Sequence, residues 1–185
     1  MAKVYIFMAD GFEEVEGLTV VDLLRRAGID IVMVSIMGKK NVTGAHNITI
    51  EVDGIFEEMD FADGEMLVLP GGMPGTTNLM KHQGLDKLLR DFDNKKKPIA
   101  AICAAPTILA NKGMLKGRDA TCYEGMEDEM SHANIVDAPV VVDGHITTSK
   151  GVGTAIDFAL SLISKFKGED EAKRIGAQIL YKNYN

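Results

Sequence analysis

The sequence predicts an α/β protein in which a mostly parallel sheet carries helices on both faces. Three stretches predict it. Residues 4–8 form an apolar run that passes through Ala9-Asp10-Gly11-Phe12 into a helical pattern, and a second apolar run follows at 31–36. A strand, a helix and a strand in that order make a parallel pair joined by a right-handed crossover. Residues 66–69 (Met-Leu-Val-Leu) and 99–102 (Ile-Ala-Ala-Ile) are short and uniformly apolar, as strands buried on both faces are. At 185 residues the chain is long enough for such a sheet, so residues 1–185 are expected to form a single domain.

The first helix is expected over residues 13–27. Val15, Leu18, Val21 and Leu24 recur at helical spacing, Arg25 and Arg26 complement the last turn, and Gly28 stops it. Residues 37–65 are the least regular part, with an extended segment at 48–52 and an acidic stretch at 57–65. No Pro, Gly and Ser run marks a linker. The strand at 66–69 ends in Pro70-Gly71-Gly72-Met73-Pro74-Gly75, whose glycines indicate a sharp turn or a backbone that approaches something closely. It lacks the spacing of a phosphate loop. A helix is expected over 79–92, a short strand over 120–123, and a hairpin turning at Asp143-Gly144 between 140–142 and 146–148. Helices over 151–166 and 169–181 follow.

The chemistry concentrates where the strand at 99–102 runs into Cys103 and then a helix beginning near Pro106. Proline suits a first helical turn, so the thiol sits at a strand-to-helix bend on the carboxyl edge of the sheet. Open α/β sheets carry ligands at that edge. The N–H groups of a helix start and the positive end of its dipole favour a thiolate, which predicts a Cys103 pKa below the ~8.5 of a free cysteine. Ala100, Ala101, Ala104 and Ala105 are small enough for a tight elbow. Free cysteine is also a common core residue, so an inert thiol is the plain alternative.

Glu13, Glu14 and Glu16 fall in the first turns of the first helix, where the dipole favours negative charge for structural reasons alone. Glu16 also lies on the apolar side near the edge that carries Cys103. Facing the thiol, it would be desolvated and would hold a proton.

Composition narrows the function. A net charge of −7 and only one short basic run, Lys95-Lys96-Lys97, argue against a nucleic-acid surface. No apolar run approaches the ~20 residues of a membrane helix. Two cysteines without a signal-peptide pattern indicate free thiols in a reducing compartment, and the cytoplasm is expected. The four histidines show no paired ligand spacing, so no metal site is expected.

Four motifs in order resemble the ThiJ/PfpI superfamily, whose domain is of the class I glutamine amidotransferase-like type. They are Asp10-Gly11-Phe12-Glu13-Glu14-Val15-Glu16, Leu69-Pro70-Gly71-Gly72, Ala100-Ala101-Ile102-Cys103-Ala104-Ala105-Pro106 and Thr148-Ser149-Lys150-Gly151-Val152-Gly153-Thr154. More narrowly, the pattern is similar to the branch of the parkinsonism-linked protein deglycase and its bacterial relatives. The resemblance implies a flavodoxin-like three-layer α/β/α sandwich, a homodimer, and a cofactor-free glyoxalase or deglycase acting on methylglyoxal-type α-oxoaldehydes or their adducts. Cys103 would be the nucleophile, Glu16 its protonated partner, and the N–H groups of Gly72 and Ala104 the anion-binding donors. The resemblance leaves open a second role, as an oxidative-stress thiol sensor or chaperone without turnover. Ala104 stands where protease-like branches place His, so the peptidase dyad is missing. Tyr123 stands near a position where the deglycase branch commonly carries His, and at an ordinary pKa of ~10 it is a poor proton shuttle. His46 is a candidate pocket residue or a plain surface histidine, and the approach of Cys122 to Cys103 is left to the structure.

Overall fold

A computed structural model describes residues 3–182. The first half of the chain gives β1 (Lys3–Met8), α1 (Glu14–Arg26), β2 (Asp30–Ser35), β3 (Asn41–Thr43), β4 (Thr49–Glu51), β5 (Gly54–Ile55), β6 (Met66–Leu69), α2 (Gly75–Lys81) and α3 (Gln83–Asn94). The second half gives β7 (Ile99–Ile102), α4 (Pro106–Asn111), β8 (Asp119–Ala120), β9 (Asn134–Ile135), β10 (Val140–Asp143), β11 (Ile146–Ser149), α5 (Ala155–Lys167) and α6 (Glu169–Gln178). Seven strands form one sheet in the order β10-β11-β7-β6-β1-β2-β5. Every neighbouring pair in it is parallel except β10 with β11. The fold is the expected flavodoxin-like α/β sandwich.

Alternation along the strands divides the core in two. Val4, Ile6 and Met8 of β1 face one layer with α1, α5 and α6, while Tyr5 and Phe7 face the other with α3 and α4. β7 divides the same way, with Ala100 and Ile102 on the first face and Ile99 and Ala101 on the second. That strand is buried throughout, which is why it reads as an unbroken apolar run. Phe158 on α5 is fully buried in the first layer, and truncating a side chain of that size typically costs about 3–5 kcal/mol.

Several boundaries differ from the sequence reading. In α1 the buried positions are Glu14, Glu16, Gly17, Val20, Val21, Leu23 and Leu24, and Val15 is instead 48% exposed. The helix expected over 79–92 is two helices broken at His82, whose extended backbone and ring Nδ1, accepting from the Leu85 N–H at 3.0 Å, cap α3. The hairpin pairs Asp143 with Ile146, so its two-residue turn is Gly144-His145, one residue later than expected. The Asp143 carboxylate is committed elsewhere, accepting from the Asp119 N–H at 2.9 Å. β8 is shorter than the strand expected over 120–123. Among the described residues no helix is long and apolar enough to cross a membrane.

Candidate active site

Cys103 leaves β7 with φ +65°, the left-handed region that a side chain with a Cβ rarely adopts. The strain is held by neighbours. Its N–H donates to the Ser149 carbonyl at 3.0 Å and its carbonyl accepts from the Tyr123 N–H at 2.8 Å. The bend turns the side chain away from the strand's own path, and Pro106 starts α4 three residues later. The sulfur is part-buried and lines a cavity of about 1110 Å³ at the carboxyl edge of the sheet. The N–H groups of Gly72 and Ala104 both face it and favour its ionised form.

The loop after β6 supplies the opposite wall, and its glycines are required by close approach. A Cβ on Gly71 would lie 2.6 Å from Cys103 Cβ and 2.8 Å from Glu16 Oε2. Gly72 has φ +87°, and a Cβ there would meet the Glu13 backbone nitrogen at 2.3 Å.

Glu16 is fully buried on α1 and reaches across to this loop, where Oε2 accepts from the Gly71 N–H at 2.9 Å. Oε1 is buried and has no well-formed hydrogen-bond partner among the described residues. It lies on the cavity side, 3.8 Å from where a Cβ on Gly151 would sit. Burial pushes the Glu16 carboxyl up to about 7, although the Cys103 thiol and the Gly71 N–H pull it down. Burial also pushes the thiol up to about 12, with the Glu16 carboxylate second, against the pull of the Gly72 and Ala104 N–H groups. This reverses the expected direction for Cys103. The Ala104 N–H before α4 and the Gly72 N–H from the glycine loop do favour the ionised sulfur, but desolvation and a carboxylate neighbour outweigh them. Burial thus favours the protonated form of both groups.

All six residues named from the sequence line the cavity: Cys103, Glu16, Gly72, Ala104, Tyr123 and His46. They are not equally placed. Tyr123 is 53% exposed at the rim. His46 is an outer residue whose Nδ1 pairs with Glu14 Oε2 at 3.0 Å and Glu13 Oε2 at 3.5 Å. The Glu14 bond raises its pKa. Burial alone would raise Glu14, but His46 and the backbone N–H groups of His46 and Ile48 hold it below the usual range. Glu13, Glu14 and His46 thus place three ligand-type atoms within 4.8 Å of one another, a grouping that histidine spacing did not reveal.

Sequence reasoning missed the apolar rim. Val15, Ile48, Met73 and Val152 are all exposed large side chains that line this cavity. Val15 stood out only as one member of a helical stripe, and no local pattern distinguishes a rim residue from a core one. Cys122 lies in the core on the opposite face of the sheet from Cys103, and both thiols are free.

A doubly covered parallel sheet with a cysteine strained at a strand-to-helix bend, beside a buried carboxyl, defines a class of elbow-cysteine α/β proteins. The DJ-1/PfpI family model matches residues 2–165, and the chain belongs to that family. It is 32% identical over 185 residues to the Parkinson disease protein 7 homolog of Danio rerio, covering 98% of both chains. It is 36% identical over 153 residues to a protein of Pyrococcus abyssi named a deglycase, covering 82% of this chain and 91% of that one. The chain spans under half the length of two Arabidopsis thaliana relatives, DJ-1 homologs B and A, of which it covers 42% and 46%. Among solved structures, a DJ-1 superfamily protein of Salmonella typhimurium superposes with a TM-score of 0.94 at 33% identity, over 98% of this chain and 100% of that one. Drosophila melanogaster DJ-1beta gives the same score at 32% identity, over 98% of each chain.

Proposed function

We propose that this protein is a cysteine-dependent glyoxalase or deglycase, acting without a cofactor on methylglyoxal-type α-oxoaldehydes or their adducts. The observation that carries the reading is a buried carboxyl beside a sulfur that two backbone N–H groups face, with one carboxyl oxygen that has no hydrogen-bond partner among the described residues. A thiol near 12 is a weak nucleophile by itself, and a carboxyl near 7 is half ionised at neutral pH. Glu16 therefore acts as the base that takes the thiol proton while sulfur bonds to the aldehyde carbon. The N–H groups of Gly72 and Ala104 hold the oxygen that gains charge.

Glu16 passes the thiol proton to that oxygen, giving a hemithioacetal and regaining its ionised form. Glu16 next moves a proton from the former aldehyde carbon to the adjacent carbonyl through an enediol, leaving a thioester of a 2-hydroxy acid. Water cleaves the thioester, releasing lactate from methylglyoxal and restoring the thiol. The aldehyde carbon is oxidised and its neighbour reduced within one molecule, so no external electron acceptor is needed. A homodimer, as the resemblance implies, belongs to the same reading.

The test is lactate formation from methylglyoxal by the wild type and by Cys103→Ala. Turnover that depends on Cys103 is expected, and equal turnover in the two would overturn the reading. A sensor role has one specific observation in its favour: a solved relative from Toxoplasma gondii is described as oxidized. Here the half-open sulfur would be the first thiol oxidised, with protonated Glu16 donating to the product. Intact mass after mild peroxide would then show two added oxygens on Cys103, in a protein that makes no lactate.

A further inference from the structure

A second cavity, of about 460 Å³, lies at the other end of the two strands that carry the elbow. Pro98, before β7, and Gly144 and His145, before β11, form its floor, with Lys96, Arg118 and Lys165 around it. At ~3.3 Å per residue, these four-residue strands separate the two cavities by about 13 Å.

The cations here are held less closely than the most tightly paired lysines of this chain. Lys39, Lys112 and Lys150 each have a carboxylate oxygen within 2.6–2.8 Å. Arg118 reaches Asp143 only at 3.3 Å, Lys96 reaches Asp93 only at 3.7 Å, and Lys165 has no ion-pair partner among the described residues. A lysine in the last turn of α5 complements the helix dipole, which accounts for Lys165 alone. It does not account for Arg118 and Lys96, from two other segments, converging on the same space. His145 is 7% exposed, and its Nε2 is 2.7 Å from Asp93 Oδ1.

We propose that this cavity binds a small phosphate monoester, held by Arg118, Lys96 and Lys165 over the His145 ring. The charge balance points to a dianion. Three cations face two carboxylates, Asp93 and Asp143, leaving one positive charge, and protonation of His145 makes two. The guanidinium fork of Arg118 and two flexible ammonium groups suit a tetrahedral oxyanion. Burial lowers the His145 pKa, Asp93 opposes that, and Arg118 and Lys96 add to it. A dianion in the cavity offsets the two cations, so binding takes up a proton on His145 and strengthens as pH falls. The site is independent of any chemistry at Cys103.

The experiment is an NMR titration of the full chain with glycerol 3-phosphate at constant ionic strength, following the His145 ring protons. Sulfate, which stays a dianion between pH 6 and 8, is the second probe and isolates the protein's proton uptake. Saturable shifts are expected, with a raised His145 pKa in the bound state. Lys165→Met, on an exposed position, and Arg118→Met should each weaken binding by about tenfold or more. Lys173→Met, outside the cavity, should leave it unchanged. A response no larger than that to chloride would overturn the proposal. So would saturation that both Lys165→Met and Arg118→Met leave intact.

Discussion

Cys103 and Cys122 are the two cysteines of this chain, and although burial raises the pKa of both, their surroundings differ. Burial pushes both thiols up, to about 12 and about 11. Cys122 is 2% exposed among the side chains of the α3 and α4 layer, with its Sγ donating to the Tyr123 carbonyl at 3.4 Å. Cys103 has the strained bend, two facing N–H groups, a carboxyl partner and an opening to the cavity. A low resting pKa is therefore not what distinguishes a candidate nucleophile here. A base within reach, donors aimed at the developing charge, and a path for substrate are what distinguish it.

The largest expected effect sharpens this contrast. Cys103→Ala should abolish lactate formation from methylglyoxal, whereas Cys122→Ala should keep turnover near the wild-type level and lower stability by about 1 kcal/mol through the lost packing. Loss of turnover in both variants, with the fold intact by circular dichroism, would break the comparison.

Glu16→Gln should lower kcat/KM by roughly 10²–10⁴-fold, since it removes the base and keeps the shape. In the wild type, kcat/KM should rise with pH through about 7 as Glu16 ionises. The variant should lose that limb, and a limb that survives would assign the titration to another group.

Glu16 should also leave a mark on stability. Its folded pKa, about 7, lies above the ordinary 4.5, so between these values the native state binds more protons than the unfolded one. Stability from this group is present below about 4.5 and is lost as pH rises through about 7. Urea titrations at pH 5 and pH 8 should show the wild type losing up to about 3 kcal/mol relative to Glu16→Gln. A pH-independent difference between the two proteins would contradict the burial of an ionisable carboxyl.

Gly71→Ala should reduce turnover by about a hundredfold, because its Cβ must displace Cys103 and Glu16 together. Gly117→Ala, where a Cβ would meet nothing within 4 Å but φ is +71°, should cost stability and leave turnover unchanged. The smallest effect belongs to Tyr123→His at the exposed rim, which should change kcat/KM by only a few-fold, on the order of 1 kcal/mol.

Much of this was legible in the chain. The strand-to-helix bend at Cys103, the βαβ opening and the glycine loop are local patterns, set by apolar run length, proline at a helix start and glycine where backbones crowd. Glu16 was legible as a residue on the inner side of its helix. The break at His82 was not, because it depends on a histidine ring turning back to cap its own chain. The apolar rim was hidden too, since Val15 and Val21 look alike in sequence and only packing leaves one of them exposed.

The sequence by itself determined the order of strands and helices and put a cysteine at a bend, because these follow from interactions within a few residues. Only the tertiary structure decided the thiol's protonation. That depends on how Gly71, Gly72 and Glu16, distant in the chain, close around one sulfur and exclude water. Desolvation is a property of the assembled site, and here it outweighs the local helix-start effect that the sequence displays.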